Sequence, residues 1–124
     1  MHRHRFLSTL TILGFLLAAP MARAHFGTII PSDDIVTQED SKTLSIEVKF
    51  IHPMEMHYME MEKPKRFGVL FNGKVEDLLP TLQEAKGKSA DQDKTFTFWK
   101  ASYAIKRPGD YCFFAEPMPY WEPA

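Results

Sequence analysis

Nine residues do most to limit the fold. Thr43–Ile51 reads TLSIEVKFI, with Leu44, Ile46, Val48 and Phe50 at every second position and Ser45, Glu47 and Lys49 between them. A period of two sends successive side chains to opposite faces, so this is a strand with one apolar and one wet face. Such a strand is stable only when a second layer covers the apolar face. Similar signals recur along the chain. RFGVLFNGK (66–74) is rich in β-branched and aromatic residues and ends in Asn72-Gly73, a strong hairpin signal, with VEDLL (75–79) as the return strand. KTFTFWKASYAI (94–105) alternates Phe96 and Phe98 against Thr95 and Thr97, then changes parity around Trp99, which predicts a bulge. RPGD (107–110) is a turn leading into a strand at YCFFAE (111–116), and HFGTIIP (25–31) is an edge strand stopped by Pro31. PTLQEAKGKSADQDK (80–94) is polar, with Gly87 breaking any helix begun at Leu82, and is expected to be a solvated loop. The expected fold is therefore all-β, an antiparallel β-sandwich of Ig-like or prealbumin-like type. In PGDYCF, Tyr111 lies directly before Cys112 rather than two residues before it, so the spacing is not that of a tyrosine corner.

The N-terminus sets the compartment. Met1–Arg5 is short and basic, Phe6–Ala19 is an apolar run, and Ala22-Arg23-Ala24 supplies small residues at a cleavage site. The run is shorter than the roughly 20 apolar residues of a membrane-spanning helix. Residues 1–24 are expected to be a signal peptide cleaved after Ala24, leaving residues 25–124 as the sandwich domain in a bacterial periplasm. Of the 15 Lys and Arg residues, Arg3, Arg5 and Arg23 leave with the leader, while all 16 acidic residues stay; twelve against sixteen moves the formal charge from −1 to −4. That balance argues against nucleic acid as a partner, which requires a basic stripe. The single cysteine, Cys112, excludes an intramolecular disulfide framework, and its aromatic neighbours suggest a small buried hydrophobe. The chain ends in EPMPYWEPA, without a closing strand or helix. Two readings follow: an extended tail, or a sandwich left incomplete because the sequence is the N-terminal part of a longer domain.

The chemistry concentrates in HPMEMHYMEMEKP (52–64), which holds two histidines, four methionines and three glutamates, with no ordinary aliphatic residue. The flanking strands use Leu, Ile, Val and Phe, so the vocabulary changes at His52 and changes back at Phe67. Imidazole suits Zn, Cu, Fe and Ni, and thioether favours soft Cu(I). In an extended chain His57, Met59 and Met61 share a face with Glu55; in a helix opened by Pro53, His57 would align with Met61 and His52 with Met56. The sequence leaves both geometries open. Methionine is also an adaptable core filler, and some of the four are expected to pack. His25 is the other candidate. After cleavage it carries an imidazole and a free α-amine, two nitrogens able to chelate one ion, and Cu(II) and Ni(II) favour such nitrogen-rich sites. Tyr120 and Trp121 are expected either to cap the open end of the sandwich or to form a recognition surface. No serine lies in a nucleophile elbow, and there is no Gly-rich phosphate loop or Cys-x-x-Cys motif. The expected protein is not an enzyme.

Three separated stretches, AHFGTIIPSDD, FIHPMEMHYMEMEKPKRFGV and RPGDYCFFAEPMPYWEPA, together resemble the DUF4198 family. Its members are exported proteins often described as periplasmic components of cobalt or nickel uptake systems. The resemblance implies a β-sandwich that presents a transition-metal ion to the subunits of an inner-membrane transporter. The matching positions are His25, His52-Pro53, the Met59-x-Met61 pair and Glu116–Pro123, with His57 a further candidate. Family members generally continue past PYWEP, where this chain stops. The residues and the resemblance together predict a Ni or Co carrier. His25 would bind through amine and imidazole, joined by His52 or His57, with Met59 or Met61 as softer or axial ligands. A copper-handling protein using the same site, and a metal-free adhesion or interaction module built on the aromatic tail, are the alternatives.

Overall fold

The computed structural model describes residues 26–54, 56–89 and 94–120; the expected leader and His25 lie outside them. Among the described residues there is no α-helix. The strands are β1 (Phe26–Pro31), β2 (Thr43–His52), β3 (His57–Met59), β4 (Arg66–Phe71), β5 (Lys74–Asp77), β6 (Gln83–Lys88), β7 (Thr95–Ala104) and β8 (Cys112–Glu116), with a 3₁₀ turn at Leu79–Thr81 before β6. They form two antiparallel sheets. One runs β1-β2-β7-β6 with β3 added on β2; the other runs β5-β4-β8. The fold is all-β, as expected.

β2 is the centre of the larger sheet, and its alternation behaves as its sequence requires. Leu44, Ile46, Val48 and Phe50 are all 5 % exposed or less. They pack in one core with Phe67 and Val69 of β4, Met61, Leu78, Leu82 and Ala101. On the opposite face Glu47 pairs with Lys49 at 2.5 Å and with Lys100 at 3.4 Å. The Asn72-Gly73 turn joins β4 to β5 with φ of 48° and 72°, the pair of left-handed conformations that a two-residue hairpin needs.

Two expectations fail for one physical reason. β7 has no bulge: its register runs unbroken from Ala104 opposite Thr43 to Trp99 opposite Val48 on β2, and from Lys100 to Thr95 against β6. The change of parity instead marks a change in which face is covered. Thr97, Trp99, Ala101 and Tyr103 share the inner face of β7. Phe96 and Phe98 lie on the outer face, yet each is only 7 % exposed. Tyr58 of β3 stacks on Phe96 with centroids 4.5 Å apart, and Phe98 is 5.7 Å from Phe96. The Lys49 ammonium lies over both Tyr58 and Phe98. With Ile51, 8 % exposed, these rings form a second apolar layer outside the main core.

That layer also explains why 83–88 is a strand and not a loop. Ala85 pairs with Phe98 and Gly87 with Phe96, so the two aromatic rings need small residues beside them. A Cβ on Gly87 would meet the Phe96 ring at 2.4 Å. Gly87→Ala is therefore expected to displace Phe96 and destabilise the protein by about 1–3 kcal/mol, as overpacking of a filled site does. A thermal melt checks this, and Gly87→Ala combined with Phe96→Leu should recover part of the loss.

Cys112 is exposed, not buried. Phe113 and Ala115 face the core, so period two turns Cys112 and Phe114 outward. Tyr111 does pin its turn despite the unusual spacing: its hydroxyl donates to the Arg107 carbonyl at 2.9 Å. Its ring stacks on Phe71 with centroids 4.2 Å apart.

Candidate functional site

The His/Met stretch forms an extended hairpin against β2, which settles the choice between strand and helix. A strand has two edges. β1 occupies one along Ile46–Ile51, and β7 occupies the other along Thr43–Val48. β3 takes over that second edge where β7 leaves it, pairing Met59 with Phe50, Tyr58 with Ile51 and His57 with His52. His52 and His57 are thus direct cross-strand partners. Both share the parity of Phe50, on the inner face at the end of the sheet. Directly opposed residues hold their Cβ atoms about 4.5–5.5 Å apart. Two imidazoles so placed can both reach one ion at the usual metal–nitrogen distance of about 2.0–2.1 Å.

The hairpin is held in place by β7. The Met61 amide donates to the Thr97 carbonyl at 3.2 Å, and the Trp99 indole donates to the Met61 carbonyl at 3.0 Å. The Glu60 carboxylate accepts from the Thr97 amide at 2.7 Å and from the Thr97 hydroxyl, with the Lys86 ammonium 3.7 Å away. The Thr97 hydroxyl is the main reason that the Glu60 carboxyl is held below its ordinary range, with the Thr97 amide and Lys86 adding to it against a desolvation cost. Glu60 is therefore a clamp on the hairpin and not a donor turned towards the histidines.

This clamp has a testable sign. A carboxyl whose folded pKa is depressed contributes stability above its unfolded pKa and loses it as pH falls through the folded value. Glu60→Gln is expected to lower the Tm of the metal-free protein by a few degrees at pH 7. The gap to the parent should close as pH falls through the lower end of the carboxylate range, which paired melts across pH would show.

The expected ligands separate into distinct groups. Met59 faces the same side as the histidine pair and packs at the edge of the core. Met61 is 2 % exposed and is one of the largest fully buried side chains, so it fills the core. His25 lies outside the described residues. The residue after it, Phe26, pairs with Ile51, one position from His52. The start of β1 thus lies at the end of the sheet that carries both histidines. Among the described residues no group of three or more His, Cys, Asp or Glu side chains is arranged to hold a metal ion.

Of two further features at this end, the sequence offered the first as one of two readings and did not indicate the second. Tyr120 packs its ring on Phe50, centroids 4.6 Å apart, so the tail closes over the inner face beside the histidines. Its aromatic character was the only signal, and that signal also fitted a recognition surface. Trp121 lies outside the described residues. The second feature is the exposure of Met54 and Met56, at 89 % and 57 %, on the turn between β2 and β3. A cleft lined by Tyr103, Tyr111, Glu76 and Arg107 lies at the other end of the sandwich and contains none of the expected ligands.

Residues 22–124 match the model of a family described as Domain of unknown function (DUF4198). No curated protein and no solved structure matches the chain.

Proposed function

We propose, as the chain belongs to the DUF4198 family, that it is a periplasmic carrier that binds a Ni or Co ion and presents it to an inner-membrane uptake transporter. The observation that carries this reading is the cross-strand pairing of His52 with His57, at the end of the sheet where the N-terminal strand begins. The pair offers two imidazole nitrogens on one face. His25, with its amine and imidazole freed by cleavage after Ala24, is the source of further nitrogen. A site of three or four nitrogens suits Ni(II) and, with an added donor, Co(II). Met59, on the same face, is the axial candidate. Met61 is not, because withdrawing it from the core would forfeit its burial.

The ion is cargo here, so the site has to release it as well as bind it. Tyr120 over Phe50 gives the site a partial cover, and at 41 % exposure it leaves the end of the sandwich open to a partner. Calorimetric titration of the mature protein with Ni(II) and Co(II) tests the reading. One ion per chain, bound with release of protons from amine and imidazole, supports it. Absence of binding by either ion rejects it.

A copper-handling role is the second reading. It is favoured by Met59 lying opposite Phe50 on the histidine face, which adds a thioether to the nitrogens. Competition between Cu(I) under reducing conditions and Ni(II) separates the two.

A further inference from the structure

The four methionines of the hairpin do not share one environment. Met61 is buried in the core and Met59 packs against its edge, as methionine commonly does. Met54 and Met56 do neither. They stand on the turn between His52 and His57, exposed at 89 % and 57 %. Among the described residues neither side chain is buried, and water would favour a polar residue at such exposed positions.

The backbone at Met56 sharpens the point. Its φ is 54°, in the left-handed region that glycine or asparagine occupies at little cost. A methionine there carries roughly 1 kcal/mol of backbone penalty. A turn that only had to reverse the chain would be better served by glycine. Pro53 adds a fixed φ at the other shoulder of the turn. The result is two thioether residues exposed to solvent, two positions apart in sequence, between the paired His52 and His57.

We propose that Met54 and Met56 form a separate soft-metal site at the hairpin tip, which takes a monovalent d10 cation of the Cu(I) type. Thioether sulfur is a neutral, polarisable donor that selects such ions over Ni(II) or Co(II). Binding needs no deprotonation of the two sulfurs, so it persists at pH values where imidazole and amine donors are protonated. Because both sulfurs are at the surface, the ion is open to exchange with a partner's ligands. The proposal goes beyond the nitrogen site: it shares with it only the hairpin, and the two use different side chains.

Silver(I), which matches Cu(I) in charge and softness without redox chemistry, is the probe. The mature protein is labelled at the methionine ε-methyl groups and titrated with Ag(I) at pH 5.5 and pH 7. The expected result is that the Met54 and Met56 resonances move first and saturate together at both pH values, while Met61 stays still. Met54→Leu/Met56→Leu keeps the size of the tip, should fold as the parent does, and is expected to lower Ag(I) affinity at least about tenfold. Its Ni(II) titration should be unchanged. Unchanged Ag(I) affinity in the double variant, first shifts at Met59 or Met118, or no Ag(I) binding at all would overturn the proposal. Loss of Ni(II) binding in the parent contradicts the nitrogen site alone and leaves the tip site to be judged on Ag(I).

Discussion

Replacing His52 and His57 together with alanine is expected to weaken Ni(II) binding by the mature protein on the order of 100-fold or more, since each lost imidazole removes a coordinate bond worth at least tenfold in affinity. The fold should survive the change. Both side chains are only partly buried and sit at the end of the sheet. The hairpin is fixed to β7 through Met61, Trp99 and Glu60, and none of those contacts involves a histidine. The single variants carry further information. If the opposed pair acts as one bite, His52→Ala and His57→Ala should each lose most of the affinity, and the double variant should lose less than the sum of the two. Calorimetry on all four proteins, with circular dichroism to confirm the fold, reads this directly. Equal Ni(II) affinity in parent and double variant would remove the pair from the site.

The largest effect on stability is expected at Phe67. Its ring is 1 % exposed and, among the described residues, is the largest of the fully buried side chains. It projects from β4 into the core shared with β2, beside Ala115 of β8, and its carbonyl accepts the Leu78 amide at 2.9 Å. Phe67→Ala removes a ring from the contact between the two sheets and leaves a cavity that small neighbours cannot close. The expected loss is about 3–5 kcal/mol, against a total stability for small domains of about 5–15 kcal/mol. A domain of this size shifts in Tm by roughly 4–8 °C per kcal/mol, so the variant should melt well over 10 °C lower or fail to fold. Phe67→Leu, which keeps most of the volume, should fold and lose less. Parallel melts of the two separate the cavity effect from a general intolerance of the position.

The parts of this fold that are legible in the sequence are those whose information is local. The alternation of Leu44, Ile46, Val48 and Phe50 named β2 and its buried face, and Asn72-Gly73 named the β4–β5 hairpin. The parts that are not legible depend on a distant segment. Gln83–Lys88 contains no β-branched or aromatic residue, and it is a strand because Ala85 and Gly87 lie beside Phe98 and Phe96. The parity change after those two rings suggested a bulge because the sequence did not show that Tyr58, from the His/Met stretch, covers Phe96 on the outer face. Cys112 resembled a buried residue because of its aromatic neighbours, but the inward parity of Phe113 and Ala115 puts it outside.

The site follows the same division. The change of vocabulary at His52 marked the candidate stretch, because imidazole and thioether are chemically distinct from the residues of the flanking strands. The sequence did not decide which donors face one another. That depended on β3 taking the edge of β2 that β7 vacates, a fact of register between three strands. The methionines divide for the same reason. Met61 is buried in the core where its amide bonds to Thr97, while Met54 and Met56 are left exposed at the tip.

A nitrogen site that joins His25 to the His52/His57 pair, as proposed, depends on the free amine of His25. Ni(II) is titrated by calorimetry into protein beginning at His25 and into the same protein with one extra residue ahead of His25. The added residue moves the free amine off His25 and leaves every side chain in place. Affinity is expected to be at least about tenfold lower for the extended protein, with fewer protons released per ion bound. Equal affinity and equal proton release in the two proteins would contradict it.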